Sequence, residues 1–257
     1  MFLVLLSCCS HAASQAQTVP PGVVKEELPF RKKTFTEKDG TKMPYRLFVP
    51  PRYDSAKKYP LILWFHGAGG RGSNNEAQIS GGNEKGTHLW TTPENQAAFP
   101  AFVLAPQCPQ NENWSEPEFN QVAAPLQSAL NILALVQKDY PIDPDRVYLA
   151  GQSMGGLAVW ALLQKYPEQW AGAIVVASYD NFTNVRALTR VPLWIFQGED
   201  DSTVPVETVR EMVHQLKKAG GSPRYSEFRN TGHEVWNQAF ADPQLVPWLS
   251  AQKRAAP

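Results

Sequence analysis

Five short runs in this chain are apolar without alternation: residues 61–65, 101–105, 147–150, 173–177 and 193–196. A strand with one wet face alternates apolar and polar side chains. A run that never alternates needs cover on both sides, as the central strands of a parallel sheet have. Helical patterns lie between several of the runs. Residues 121–137 repeat Val122, Leu126, Ala129, Leu130, Leu133 and Val136 at helical spacing. Residues 203–218 carry Pro205 and Glu207 early, Val209, Met212, Val213 and Leu216 on one face, Lys217-Lys218 late, and Gly220 as a stop. Strands alternating with helices predict an α/β fold: a mostly parallel central sheet with helices on both faces. Ahead of it, residues 30–36 and 43–49 are strand-like and joined through Asp39-Gly40, a tight-turn pair, so an N-terminal antiparallel hairpin is expected.

The 257 residues, 43% of them hydrophobic, supply one sizeable core, and a single domain is expected over residues 28–252. A net charge of zero offers nothing to nucleic acid or to an anionic membrane surface. Residues 1–16 read as an export signal: Phe2-Leu3-Val4-Leu5-Leu6 is the apolar core, and Ser14-Gln15-Ala16 fits a small-x-small cleavage site. The core is too short to span a bilayer, and the usual basic residues before it are missing, so a start that is either truncated or mis-assigned is expected. Leu5-Leu6-Ser7-Cys8 also fits a lipoprotein signal. Export to the periplasm or the medium is therefore expected, with either cleavage or a lipid anchor on Cys8. Residues 17–27, with two prolines and a glycine, read as a linker. Beyond the export segment the one thiol is Cys108, which has no basic neighbour and reads as structural.

Gly151-Gln152-Ser153-Met154-Gly155-Gly156 stands between the third apolar run and a helical pattern over residues 157–163 that stops at Pro167. By composition, G-x-S-x-G should arise by chance in roughly one chain in ten of this length, so the pentapeptide alone is weak. Its place between strand and helix is what a nucleophile elbow requires: glycines two before and two after the serine relieve collisions, and the hydroxyl sits at a helix N-terminus.

A nucleophilic serine needs a base delivered late in the sheet and an acid between the two. Of five histidines, His233, in a loop after the strand-like residues 224–229, has that placement. The acid should follow the strand at 193–196, where Gln197-Gly198-Glu199-Asp200-Asp201 leaves Asp200 and Asp201 both open. Two backbone N–H groups should hold an oxyanion. Met154 offers one, and the loop His66-Gly67-Ala68-Gly69-Gly70 offers the other, from Ala68 or alternatively Gly69. The His66 side chain reads as structural. Residues 71–100, rich in Gly, Asn, Thr and Gln, read as a long loop at the strand ends where open α/β sheets bind ligands. Trp90, Trp114, Tyr179 and Trp236 fall on loops at the same end and are candidates for lining a substrate, or equally for capping the core. The chain has no H-E-x-x-H, no Cys/His cluster and no Gly-rich phosphate loop, so neither metal nor cofactor is expected.

The matching features run from Tyr45-Arg46-Leu47-Phe48-Val49-Pro50 through residues 63–72 and 75–82. They continue through Ala105-Pro106-Gln107-Cys108-Pro109 with Trp114, residues 146–156 and 198–205, to His233-x-x-Trp236-x-x-Ala239-Phe240. In this order the chain resembles the α/β-hydrolase superfamily. It is closest in character to the esterase branch known as predicted peptidases and phospholipase/carboxylesterases, which overlaps polyhydroxybutyrate-depolymerase-like and feruloyl-esterase-like enzymes. The resemblance implies the α/β-hydrolase fold and a serine carboxylesterase working through Ser153, His233 and an acid, by way of an acyl-enzyme. In serine hydrolases the acid usually sits in D-x-x-V-P, which favours Asp201. The chain departs from its relatives at Gln197, where they more often carry His. The implied substrate is a small, carbohydrate-linked or polyester ester, with the oligomeric state left open. A serine peptidase of the same fold would usually carry a propeller or large cap, for which there is no room. A non-catalytic binding protein is the third reading, and an intact triad argues against it.

Overall fold

The computed structural model describes residues 30–115, 122–180 and 184–254. The expected export signal, linker and Cys8 anchor lie outside the described residues. Among the described residues eight strands form one sheet: β1 (Arg31–Thr36), β2 (Lys42–Phe48), β3 (Tyr59–Phe65), β4 (Phe102–Pro106), β5 (Ile142–Gln152), β6 (Gly172–Val176), β7 (Leu193–Gly198) and β8 (Arg224–Phe228). Their order across the sheet is β1-β2-β4-β3-β5-β6-β7-β8. The helices are α1 (Glu84–His88), α2 (Pro93–Ala98), α3 (Ala124–Asp139), α4 (Met154–Lys165), α5 (Val185–Leu188), α6 (Val206–Lys218), α7 (Trp236–Ala239) and α8 (Leu245–Ser250). None of them is long and apolar enough to cross a membrane.

The hairpin forms as expected. β1 runs antiparallel to β2, with Phe35 opposite Met43, and Gly40 at φ +91° turns the chain between them. β2 also runs antiparallel to β4, while the six strands from β4 to β8 pair in parallel. Each of the five apolar runs falls on one of those central strands, with Ala101 and Ala177 just beyond the strand ends, and β3 demonstrates why alternation is missing. Its Leu61, Leu63 and Phe65 enter one core with Leu126 of α3, Val159 of α4 and Val209 of α6. Its Ile62 and Trp64 enter a second core on the other face with Trp90, Phe240 and Leu249. Successive side chains point to opposite faces, so a strand with helices on both sides has to be apolar throughout.

One expectation needs correcting. Residues 71–100 are not a structureless loop: they carry three 3-10 turns (Ala77–Ile79, Gly81–Asn83, Leu89–Thr91) as well as α1 and α2. The polar composition that suggests solvent serves the interior instead, since Gln78, Asn83, Thr87, Thr91 and Gln96 are all buried. The Gln96 amide, for example, donates to the carbonyls of Trp90 and Ala101, so backbone groups that a loop would leave to water are met from within. Gly86 lets the segment lie directly on Trp64, because a Cβ there would come 1.9 Å from the indole.

Candidate active site

β5 ends at Gln152 and α4 begins at Met154, so Ser153 alone makes the turn, at φ 51° and ψ −122°. A non-glycine residue with positive φ is uncommon and holds strain that its surroundings must enforce. Here the surroundings are close. A Cβ on Gly151 would lie 2.3 Å from the Gly155 carbonyl oxygen, and one on Gly155 would lie 2.0 Å from that of Phe65. The Ser153 N–H donates to the Val176 carbonyl of β6 at 2.8 Å. The elbow is thus wedged between β3 and β6 with no space for larger residues on either side.

His233 follows β8, and its Nε2 lies 2.8 Å from Ser153 Oγ. Its Nδ1 lies 2.8 Å from Asp201 Oδ2. An ionised carboxylate only accepts, so Nδ1 carries the proton and Nε2 presents its lone pair to the serine hydroxyl. The Asp201 side chain has no solvent exposure. Its Oδ1 accepts the Thr203 and Val204 N–H groups at 2.8 and 2.9 Å, which is the physical use of the residues that follow it. Its Oδ2 also accepts from Gln197 Nε2 at 3.0 Å. That same nitrogen donates to the Val204 carbonyl at 2.8 Å, so two acceptors fix which way the buried amide points. Asp200 is exposed and meets the histidine loop through its backbone N–H, which donates to Thr231. Gly198 allows the acid and histidine loops to touch, since a Cβ there would be 2.4 Å from the carbonyl oxygens of both Thr231 and Gly232.

Gly67 runs alongside the elbow, where an added Cβ would lie 3.6 Å from Ser153 Cβ. Ala68 opens the short turn Ala68–Gly70, and Met154 opens α4. The first N–H groups of such turns have no partner within the turn. Ala68 and Gly69 are exposed.

His66 lies beneath this loop, fully buried. Its Nδ1 donates to the Gly67 carbonyl at 2.7 Å and its Nε2 accepts the Cys108 N–H at 3.0 Å. Burial pushes its pKa from 6.5 down to about 4, so the ring is neutral. Unfolding releases a histidine that binds a proton more readily, so this group's contribution is complete above about pH 6.5 and is lost as pH falls toward 4. About 3 kcal/mol of unfolding free energy should disappear across that window from His66. Urea titrations at pH 7 and 4.5, with nitrogen NMR of the ring, would check it. A His66 resonance titrating near 6.5 would contradict it.

Burial also raises the Cys108 thiol to about 12, which leaves it inert as a nucleophile. Two of the candidate substrate residues need correcting. Trp114 is 0% exposed and Trp90 1%. Their indole N–H groups donate to the carbonyls of His66 and Gly86, which lets both rings sit in the interior without a polar cost. Tyr179 is half-buried against the core. Trp236 is half-buried and stands edge-on to the His233 ring, with centroids 5.4 Å apart. Gln197, Gln152 and Asn83 also reach this site, and sequence reasoning gave none of them a role there. Gln197 stood out as a departure from relatives, whereas Asn83 gave no signal within a polar stretch.

Cavities of about 350 and 360 Å³ open elsewhere, and neither lining includes Ser153, Asp201 or His233. Among the described residues, no group of three or more His, Cys, Asp or Glu side chains is arranged to hold a metal ion.

Residues 36–257 match the model of the Esterase family. Carboxylesterase SOBER1 of Arabidopsis thaliana is 24% identical over 216 residues, which cover 76% of this chain and 92% of that protein. The crystal structure of a thermostable esterase superposes with a TM-score of 0.83 at 35% identity, over 88% of this chain; the chain spans 63% of that esterase's length. A ferulic acid esterase shares the fold, with a TM-score of 0.67 at 17% identity over 86% of this chain and 98% of its own.

Proposed function

From the premise that the chain belongs to the Esterase family and is a carboxylic-ester hydrolase, we propose that it works through Ser153, His233 and Asp201 by way of an acyl-enzyme. Ser153 Oγ attacks the ester carbonyl carbon while His233 Nε2 takes its proton. Asp201 keeps the proton on Nδ1 and stabilises the imidazolium that forms. The N–H groups of Met154 and Ala68 hold the oxyanion, each such donor being worth about 3–4 kcal/mol of barrier. As the carbon–oxygen bond breaks, His233 returns its proton to the departing alcohol. Water, deprotonated by the same nitrogen, then attacks the acyl group and frees the acid together with Ser153.

The observation that carries this reading is the pair of 2.8 Å contacts that join Ser153 to His233 and His233 to Asp201. The exposed rim at Ala68 and Gly69, with Trp236 beside His233, supports an acyl group that is small or attached to a larger carbohydrate or polyester. The apolar residues 2–6 support export of the chain. Short alkyl and p-nitrophenyl esters should be turned over while aminoacyl anilides stay at the uncatalysed rate, because the site is proposed to serve alcohol leaving groups. Anilide hydrolysis above that background, abolished by Ser153→Ala, would favour a peptidase. A panel of acetyl, feruloyl, glucuronoyl-methyl and polyester substrates would then fix the acyl and alcohol parts.

A further inference from the structure

We infer that Asn83 is a positioning residue that holds the loop carrying the second oxyanion donor in place against the elbow, while His66 and Gly70 set that donor's direction, an inference that rests on the Ser153 reading above. Asn83 is 4% exposed. Its Oδ1 accepts the Gly67 N–H at 2.9 Å, and its Nδ2 donates to the Ala77 carbonyl at 3.1 Å. One donor and one acceptor, on opposite ends of the amide, admit a single orientation of that side chain. The Gly67 carbonyl is held independently, by His66 Nδ1 at 2.7 Å and the Gly70 N–H at 2.9 Å. Both ends of Gly67 are therefore clamped. In a trans peptide the N–H points opposite the carbonyl. With the Gly67 carbonyl turned toward His66 and Gly70, the Ala68 N–H is turned the other way.

The clamp is referenced to the nucleophile itself. Asn83 closes the turn Gly81–Asn83, and the carbonyl of Gly82 in that turn accepts Gln152 Nε2 at 2.9 Å, from the residue just before Ser153. On its outer side Gly82 is flanked by the Trp236 ring, 3.7 Å from where a Cβ would sit. The loop that carries Ala68 and the elbow that carries Met154 are thus held in register by side chains through this one turn, in addition to the sheet. An oxyanion hole needs both donors placed to within about half an ångström, which is the tolerance such a strut supplies.

Asn83→Ala in the full chain tests this. On p-nitrophenyl acetate, kcat should fall by about a hundredfold with KM within twofold, because the contact acts when charge develops on the carbonyl oxygen. Affinity for a trifluoromethyl ketone, which captures Ser153 as a charged hemiketal, should fall by a similar factor. A purely structural role would lower the melting temperature without that matched pair of losses. Should Asn83→Ala not fold, Gln152→Leu cuts the same strut at its other end. It should reproduce the pattern at about fivefold. A folded Asn83→Ala with wild-type kcat and inhibitor affinity, or a Gln152→Leu loss seen only in KM, would overturn the inference. Ser153→Ala, run in parallel, separates the failures. If it stays active, both readings fall; if it is inactive while the strut variants are normal, only the role of Asn83 falls.

Discussion

Ser153→Ala will lower kcat on a short ester by about six orders of magnitude while leaving the fold and the melting temperature nearly unchanged. Alanine keeps the Cβ and the backbone conformation, so the wedge between β3 and β6 survives. What disappears is the oxygen that His233 Nε2 faces at 2.8 Å. The rest of the site, the two proposed N–H donors included, should still give a residual rate of about a thousandfold over water, because such groups would act on whatever attacks the carbonyl. Cys108, the free cysteine among the described residues, is buried, with its thiol pushed up to about 12, and meets His66 Nε2 through its backbone N–H. Steady-state kinetics on p-nitrophenyl acetate would read the effect, and a loss of less than tenfold would move the nucleophile elsewhere.

Asp201→Asn will cost about four orders of magnitude in kcat, and Asp200→Asn less than about twofold. The two residues are neighbours, yet their surroundings differ completely. Asp201 Oδ1 accepts two backbone N–H groups, and Oδ2 accepts from both Gln197 Nε2 and His233 Nδ1. An asparagine would keep its oxygen toward the two backbone donors. Its amide nitrogen would then meet the Gln197 amide nitrogen and the Nδ1–H, donor against donor. The ring would relieve this by moving its proton to Nε2, where it can no longer accept from Ser153. Asp200 points to solvent and has no such partners. Rates for the two variants, each on a thermally intact protein, decide the matter. A loss at Asp200 equal to or larger than that at Asp201 would reverse the assignment.

The fold was legible where burial forces a pattern. β3, β4, β6 and β7 are covered on both faces, so their runs cannot alternate, and the Gly-x-Ser-x-Gly stretch announces the elbow because any Cβ at Gly151 or Gly155 meets backbone. Chain order singled out His233, and the D-x-x-V-P pattern of the resemblance favoured Asp201 over Asp200; in the structure Thr203 and Val204 of that pattern donate their N–H groups to the Asp201 carboxylate. What stayed illegible shares one cause: a polar side chain serving the interior looks the same in sequence as one serving water. Gln96 and Asn83 satisfy buried backbone, so residues 71–100 read as loop when they are packed. Trp90 and Trp114 present the mirror case. An indole on a polar stretch reads as a binding surface unless one knows that a carbonyl waits for its N–H.

The most direct test is covalent capture of Ser153 by a fluorophosphonate, read by intact mass and peptide mapping. Attack by an activated serine displaces fluoride and adds one phosphonyl group. The arrangement described here predicts one adduct per chain, on the peptide bearing Ser153, and none on Ser153→Ala. An unlabelled wild-type protein, or an adduct on any other residue, would contradict it.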